Sequence, residues 1–340
     1  MESSHANNTG MAKFINDCLY DELNPAQKLN SNVRNTINGF PIQLYINDEL
    51  IGIFNFNLDK GCTDSFGIDN KTFPNCLSYE VTANSDITAG AFNKWTSNSE
   101  LTEQEYYARD FEIRYPDERE ENDDHAELIR LVNWVSDATD EEFKNNLEQY
   151  FNKEYLFKYF LNVMVFGQVD NLGKNMMLTT WDGNIWYPQF YDLDTCLGLD
   201  NTGYLIIDSD VEMEEGKFNT SQSKLWTKLQ RVFKDELLAM YSSMRQNQFR
   251  YDNILNCLYG DQISKISERL YNLDAQQKYL QFGKTYLHMA HGNRLEHMKR
   301  WIRERLVYLD SLFGYEEDIK ESITIRINKL GVAYLDISTY

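Results

Sequence analysis

The chain has 340 residues, enough for one large or two medium domains with a sizeable core. Hydrophobic residues make up 42% and aromatics 14%, which argues against disorder. Lys and Arg number 33 against 53 Asp and Glu, a net charge of −20 that repels phosphate backbones and anionic lipid, so neither nucleic acid nor membrane is expected as a partner. No apolar run approaches a membrane span and no signal peptide opens the chain. Cys18, Cys62, Cys76, Cys196 and Cys257 are odd in number and lack CxxC spacing, which predicts free thiols in a protein made in the reducing cytoplasm.

In chain order, the polar residues 1–10 (MESSHANNTG) predict a cap for a helix over 11–23. Such a stretch also suits phosphate, because a helix start offers free N–H groups, but capping is the default. No GxGxxG loop occurs anywhere. Residues 39–60 predict a hairpin: Ile42, Leu44 and Ile46 alternate before a turn at 47–49, and Phe54, Phe56 and Leu58 alternate after it. Lys60, closing that second strand, is a candidate for nucleotide phosphates, against the plainer reading of a solvated lysine. Strands are predicted at 77–83 and 110–115, with a loop containing Gly90 and Trp95 between them. The acidic run 117–124 reads as a solvated linker and lobe boundary.

Beyond it the chain turns helical. Leu128, Ile129, Val132 and Val135 form one apolar stripe, and a second helix follows over 143–151. Tyr155, Leu156, Tyr159, Phe160, Val163 and Phe166 then mark a central helix that Gly167 closes, since glycine tolerates the left-handed backbone of a helix end. A polar loop over 168–174 leads to two apolar strands, 176–180 and 185–191, facing each other across Trp181-Asp182-Gly183-Asn184; Asp-Gly is a strong hairpin signal. The second strand runs into Tyr191-Asp192-Leu193-Asp194.

The placement of polar side chains carries the functional reading. Asp170 sits in the loop after the helix, Asn175 begins the first strand, and Asp192 and Asp194 end the second. Folding of the hairpin is expected to bring Asp170, Asn175 and the Asp192/Asp194 pair to one edge. That order (helix, Asp-x4-Asn, hairpin, Asp) is the arrangement of a protein kinase catalytic loop and metal-binding aspartate. Magnesium takes oxygen ligands, so a carboxylate with an amide carbonyl suits it on ATP phosphates. A separate carboxylate orients an attacking hydroxyl and accepts its proton. The plainer alternative is that Asp and Asn are simply good turn formers at hairpin ends.

After the Asp192/Asp194 turn, the irregular stretch 199–223 occupies the position of an activation or substrate loop, or is a plain surface excursion. Helices are predicted over 225–241, 254–258, 263–273 and 293–313. The last carries Leu295, Met298, Ile302, Leu306, Leu309 and Leu312 on one face, and Arg294, Lys299, Arg300 and Arg303 over the rest. His291 and His297 stand six apart, not the i, i+4 spacing of a helical zinc pair, so zinc is not expected. Residues 322–337 return to period two and predict a hairpin that begins a following segment.

Two stretches carry a family resemblance. GFPIQLYINDELIGIFNFNLDK resembles the strand, Asn-acidic turn, Gly, strand element of CotH (spore-coat protein H) kinase family domains, and VDNLGKNMMLTTWDGNIWYPQFYDLDTCLG resembles that family's Asp-x4-Asn, hairpin, Asp-x-Asp-x-x-x-Gly core. LWTKLQRVFKDELLAMY and RLEHMKRWIRERLVYLDSLF are similar, less specifically, to its helical lobe. The resemblance covers roughly residues 35–315, and the wording SSHANNTGMAKFIN and NFNLDK is similar to CotH-type domains embedded in bacteriophage minor structural (tail or virion) proteins.

The resemblance implies an α+β, atypical protein-kinase-like two-lobe fold that binds ATP with magnesium, manganese being the alternative ion, and phosphorylates protein serine. Asp170 would be the catalytic carboxylate, Asn175 a metal or loop-positioning residue that also serves the nucleotide, and Asp192 or Asp194 a metal ligand, while Lys60 remains the strand-end candidate for the nucleotide. The expected division is a small β-rich lobe over 1–118, a larger helical lobe with the catalytic-loop hairpin over 119–315, and the start of a β segment over 316–340. CotH domains usually carry an earlier Arg-Gly-Asn…Lys-Lys-x-Tyr element, and this chain begins after its place, so the small lobe is expected to be truncated upstream within a larger chain. The alternative is a non-catalytic, virion-associated module that uses the scaffold for assembly with other virion proteins or contact with a host surface.

Overall fold

The structure, a computed structural model, describes residues 7–59, 61, 63–82, 92–116, 125–199, 205–212, 220–260, 266–267, 269–270, 272–274, 276, 294–316, 321–327 and 333–339. Lys60, the acidic run 117–124, Gly90, His288 and His291 lie outside them. The expected α+β class holds: helices pack against a four-stranded antiparallel sheet, with two further two-stranded hairpins.

Helix α1 (Asn7–Phe14) starts earlier than its polar sequence suggests and continues as a π-helical turn, Ile15–Leu19, instead of running to residue 23. Its polar start is not a solvated cap, since Asn8 and Thr9 are buried. Strands β1 (Gly39–Ile46) and β2 (Glu49–Asn57) form the first expected hairpin. Its two-residue turn has Asn47 and Asp48 both at positive φ, which the right-handed strand twist favours and which these two residue types tolerate. A short helix α2 (Thr63–Phe66) precedes β3 (Leu77–Thr82).

Helix α3 (Glu103–Asp110) occupies the stretch expected to be a loop. Its start is a reciprocal capping box, in which the Glu105 N–H donates to the Thr102 hydroxyl and the Thr102 N–H donates to the Glu105 carboxylate. Strand β4 (Phe111–Tyr115) follows, then α4 (Ala126–Asp137) and α5 (Asp140–Asn146), the last shorter than the predicted 143–151 because the chain tightens into a 3-10 turn at Leu147–Gln149.

Helix α6 (Lys153–Phe166) is the central element. Every residue from Tyr155 to Phe166 is buried, as befits a helix apolar nearly all round. The exceptions are matched by partners: Lys158 reaches Asp21 at 2.6 Å and Glu154 at 2.5 Å, and Asn162 donates to the Gln168 side chain at 2.7 Å. Gly167 ends the helix at φ +64°, and a Cβ there would come within 2.9 Å of the Trp301 ring, so both backbone and packing require glycine.

Strands β5 (Lys174–Thr180) and β6 (Trp186–Phe190) form the expected hairpin, and Asp182 Oδ1 shapes its turn by accepting from the N–H groups of Asn184 and Ile185. The sheet order is β4-β3-β5-β6, so β3 hydrogen-bonds to β5 across the expected boundary at residue 118, and one hydrophobic core draws residues from both sides of it.

Helices α7 (Lys224–Val232), α8 (Lys234–Arg245), α9 (Tyr251–Leu258) and α10 (Arg294–Phe313) complete the helical part. On α10, Met298, Ile302, Leu306 and Leu309 are buried as expected and Leu312 is exposed. Arg305 is fully buried there, donating to the carbonyls of Met164, Ser209 and Val211. Strands β7 (Glu321–Ile327) and β8 (Ala333–Thr339) form the final hairpin. Among the described residues no helix is long and apolar enough to cross a membrane.

Candidate active site

The site is assembled by a buried amide. Past Gly167 the chain makes a 3-10 turn, Val169–Leu172, which carries Asp170. The next residue, Asn171, is fully buried and its Nδ2 donates to two carbonyls, Asn175 O at 3.1 Å and Tyr191 O at 3.0 Å. The Tyr191 N–H donates to the same Asn175 carbonyl at 3.1 Å. One side chain therefore ties the loop, the start of β5 and the residue after β6 together. Asp170 and Asp192, each the chain neighbour of a clamped residue, are drawn to one place by it.

The loop cannot drift from the core. The Tyr159 hydroxyl of α6 donates to Asn171 O at 2.6 Å, and the Trp226 indole N–H of α7 donates to Leu172 O at 2.6 Å. The Tyr159 ring also stacks on Phe190 at the end of β6, with centroids 4.1 Å apart. At the same end, Thr36 Oγ1 donates to Phe190 O at 2.7 Å.

Backbone geometry sets two of the expected site residues apart. In the β3–β5 ladder Val81 faces Met176 and Thr82 faces Lys174, so Asn175 is the extra residue of a bulge, at φ +54°. Asp192 stands at φ +48°. A left-handed backbone costs an L-residue on the order of 1–2 kcal/mol, and such strain gathers at functional sites.

The electrostatics are those of a pair of carboxylates short of positive charge. Burial, and after it the neighbouring charge of Asp170, pushes the Asp192 carboxyl above its ordinary value; Lys174 opposes the shift and Glu80 adds to it. Lys174 Nζ stands 3.9 Å from Asp170 Oδ2 on an exposed side chain. Asn175 is buried.

A family model described as CotH kinase protein matches residues 34–309. The chain belongs to the CotH kinase family. No curated protein matches the chain.

In this CotH domain the structure thus brings Asp170, Asn175 and Asp192 together. Asp194 lies two residues further on, half-buried, with Oδ1 accepting from Thr195 Oγ1 at 3.3 Å and its carbonyl accepting from the Cys196 N–H. Among the described residues no group of three or more His, Cys, Asp or Glu could hold a metal ion.

Two charged residues of this neighbourhood were not singled out from the sequence. Glu80 on β3 is buried and pairs with Arg114 of β4, whose Nε donates to Glu80 Oε2 at 2.8 Å, while Nη2 also reaches Glu112 at 2.5 Å. The Tyr191 phenol, raised chiefly by burial, feels the charges of Asp192, Asp59 and Glu80 and is opposed by Arg114. The signal available was a carboxylate inside the otherwise uncharged strand LSYEVT, followed in the next strand by an arginine able to pair with it.

Proposed function

We propose that this CotH domain is an ATP- and magnesium-dependent protein kinase that phosphorylates serine or threonine hydroxyls. The observation that carries the reading is the Asn171 clamp, which holds Asp170 beside Asp192 at the edge of the hairpin. Bound magnesium–ATP supplies a transferable phosphoryl group and the cation that offsets its charge.

The donor set fits such a cation. Two carboxylates and an amide offer hard oxygen donors, and a carboxyl that burial and a like charge hold above its ordinary value gains from an arriving cation. Asp192 and the Asn175 amide oxygen are the metal-holding residues of this reading. Asp170 orients the acceptor hydroxyl, and one of its carboxylate oxygens would take the proton as the new phosphoester bond forms and the bond to the departing ADP breaks. Lys174 supplies positive charge beside Asp170, and Lys60 serves the nucleotide phosphates in this reading.

Thermal melting tests the first part and mass the second. Magnesium with ATP is expected to raise the melting midpoint, and Asp192→Asn to abolish the rise. Incubation with a serine-containing protein acceptor such as casein is expected to add phosphate mass, lost in Asp170→Asn. A chain that neither responds to magnesium–ATP nor transfers phosphate refutes the proposal.

A second reading is a non-catalytic phage virion module that uses the scaffold for assembly or host-surface contact. It draws on the lack, among the described residues, of a three-member metal-ligand group. It predicts no nucleotide response, together with loss of particle assembly when exposed surface residues are changed.

A further inference from the structure

Away from the site, the closest contact between reactive groups joins two thiols. Cys18 lies in the π-helical turn that continues α1, and Cys257 lies in the last turn of α9, 239 positions away. Their Sγ atoms are 2.8 Å apart, closer than two sulfurs in ordinary contact, and both are free thiols. The backbones behind them are tightly packed: a Cβ on Gly10 of α1 would meet the Leu258 carbonyl oxygen at 2.7 Å.

The pair borders an opening. A cleft of about 910 Å³ opens between α1, the β1–β2 hairpin and α9, and Lys13, Asn16, Asp17 and Cys257 line it. Cys18 is half-buried, whereas Cys76 and Cys196 are fully buried in the core. The hydrogen bond shared with Cys257 pulls the Cys18 thiol below its ordinary value, Lys13 adds to that, and Cys18 is the more exposed of the two, so it is taken as the nucleophile.

We propose that Cys18 and Cys257 are a reversible redox pair, closed by thiol–disulfide exchange with a low-molecular-weight disulfide that enters through the cleft. The Cys18 thiolate attacks one sulfur of the small disulfide; that S–S bond breaks and the leaving thiolate takes up a proton. Cys257 then gives its proton to solvent and attacks Cys18 Sγ, forming the Cys18–Cys257 bond and expelling the second small thiol. Two electrons pass from the protein thiols to the small disulfide. In a reducing compartment the pair stands open. When closed, it fastens the N-terminal helix to α9 along one wall of the cleft.

The test uses the full chain and glutathione disulfide. After incubation, alkylation and digestion without reduction, the expected result is a linked peptide containing Cys18 and Cys257, with an intact mass lower by two hydrogens. Amide exchange over residues 7–19 is expected to slow in the linked chain and to recover on reduction. Cys257→Ser, which removes the resolving thiol, is expected to retain a glutathione adduct on Cys18 and to show no slowing. Recovery of Cys18 and Cys257 as separately alkylated thiols after incubation, or a linkage between other cysteines, overturns the proposal. So does an exchange rate over 7–19 that does not change on linking.

Discussion

Replacing Asn171 by alanine is the direct test of what assembles the site. The substitution removes two hydrogen bonds, one buried at 3.1 Å and one part-buried at 3.0 Å, each with a net contribution of about 1 kcal/mol. Both carbonyls lose a donor, which adds about 1–3 kcal/mol, although Asn175 O keeps the Tyr191 N–H. Against this, Asn171 Oδ1 is itself buried with no hydrogen-bond partner, so its removal returns on the order of 1 kcal/mol. The expected net loss is about 2–4 kcal/mol, read as a fall in the urea midpoint with an unchanged slope. The loss has a local signature too. The Tyr191 N–H, bonded to Asn175 O, is expected to exchange faster with solvent deuterium than neighbouring strand amides. A variant within about 0.5 kcal/mol of the parent, the range of an ordinary surface change, with Tyr191 protected as before, would refute the claim that this amide holds the hairpin edge together.

Three further outcomes follow from the same geometry. The Asp192 carboxyl is raised in the folded chain, so its stabilising contribution is present below its unfolded value near 4 and is lost as pH rises through the folded value; Asp192→Asn is therefore expected to melt like the parent in acid and increasingly above it as pH rises. A melting difference that is flat from acid to neutral pH sinks this expectation. Gly167→Ala is expected to lose about 1–2 kcal/mol from the left-handed backbone alone, and more from the methyl pressed to 2.9 Å of the Trp301 ring, measured by urea unfolding. Arg305→Met, which keeps the apolar stem but removes donors to three carbonyls, is expected to cost about 3 kcal/mol or more in the same assay, and a neutral result would mean those bonds contribute nothing net.

Local signals made much of the fold readable in advance. Apolar residues at helical spacing ending in Gly167, and Asp182-Gly183 between two apolar runs, announce α6 and the β5–β6 hairpin without any tertiary information. Asn47 and Asp48 do the same for β1 and β2. Other features depend on what meets in space. Helix α3 has low apolar content, and its Thr102/Glu105 capping box, three residues apart, was the one clue to it. The burial of Arg305 cannot be read from residue type, because it is carried by the carbonyls of Met164, Ser209 and Val211, far away in sequence, and Lys158 adds the distant Asp21 to a local pair with Glu154.

The candidate site divides along the same line. Asp170, Asn175 and Asp192 stood out because a folded-back hairpin must return its ends to one another. Asn171 did not, although it sits between two of them, since a buried asparagine looks like any turn residue until its acceptors are known. Glu80 and Arg114 pair across neighbouring strands; the Glu80 charge reaches both Asp192 and Tyr191, and that of Arg114 reaches Tyr191.

The Trp301 indole touches the chain at two glycines, Gly167 just before the Asp170 loop and Gly198 just after Asp194. Both are left-handed, and neither has room for a methyl group. The entry and exit of the stretch that carries Asp170, Asn175, Asp192 and Asp194 thus rest on a single bearing carried by α10, like two door leaves hung on one pin. A change at Trp301 therefore bears on both ends of that stretch at once.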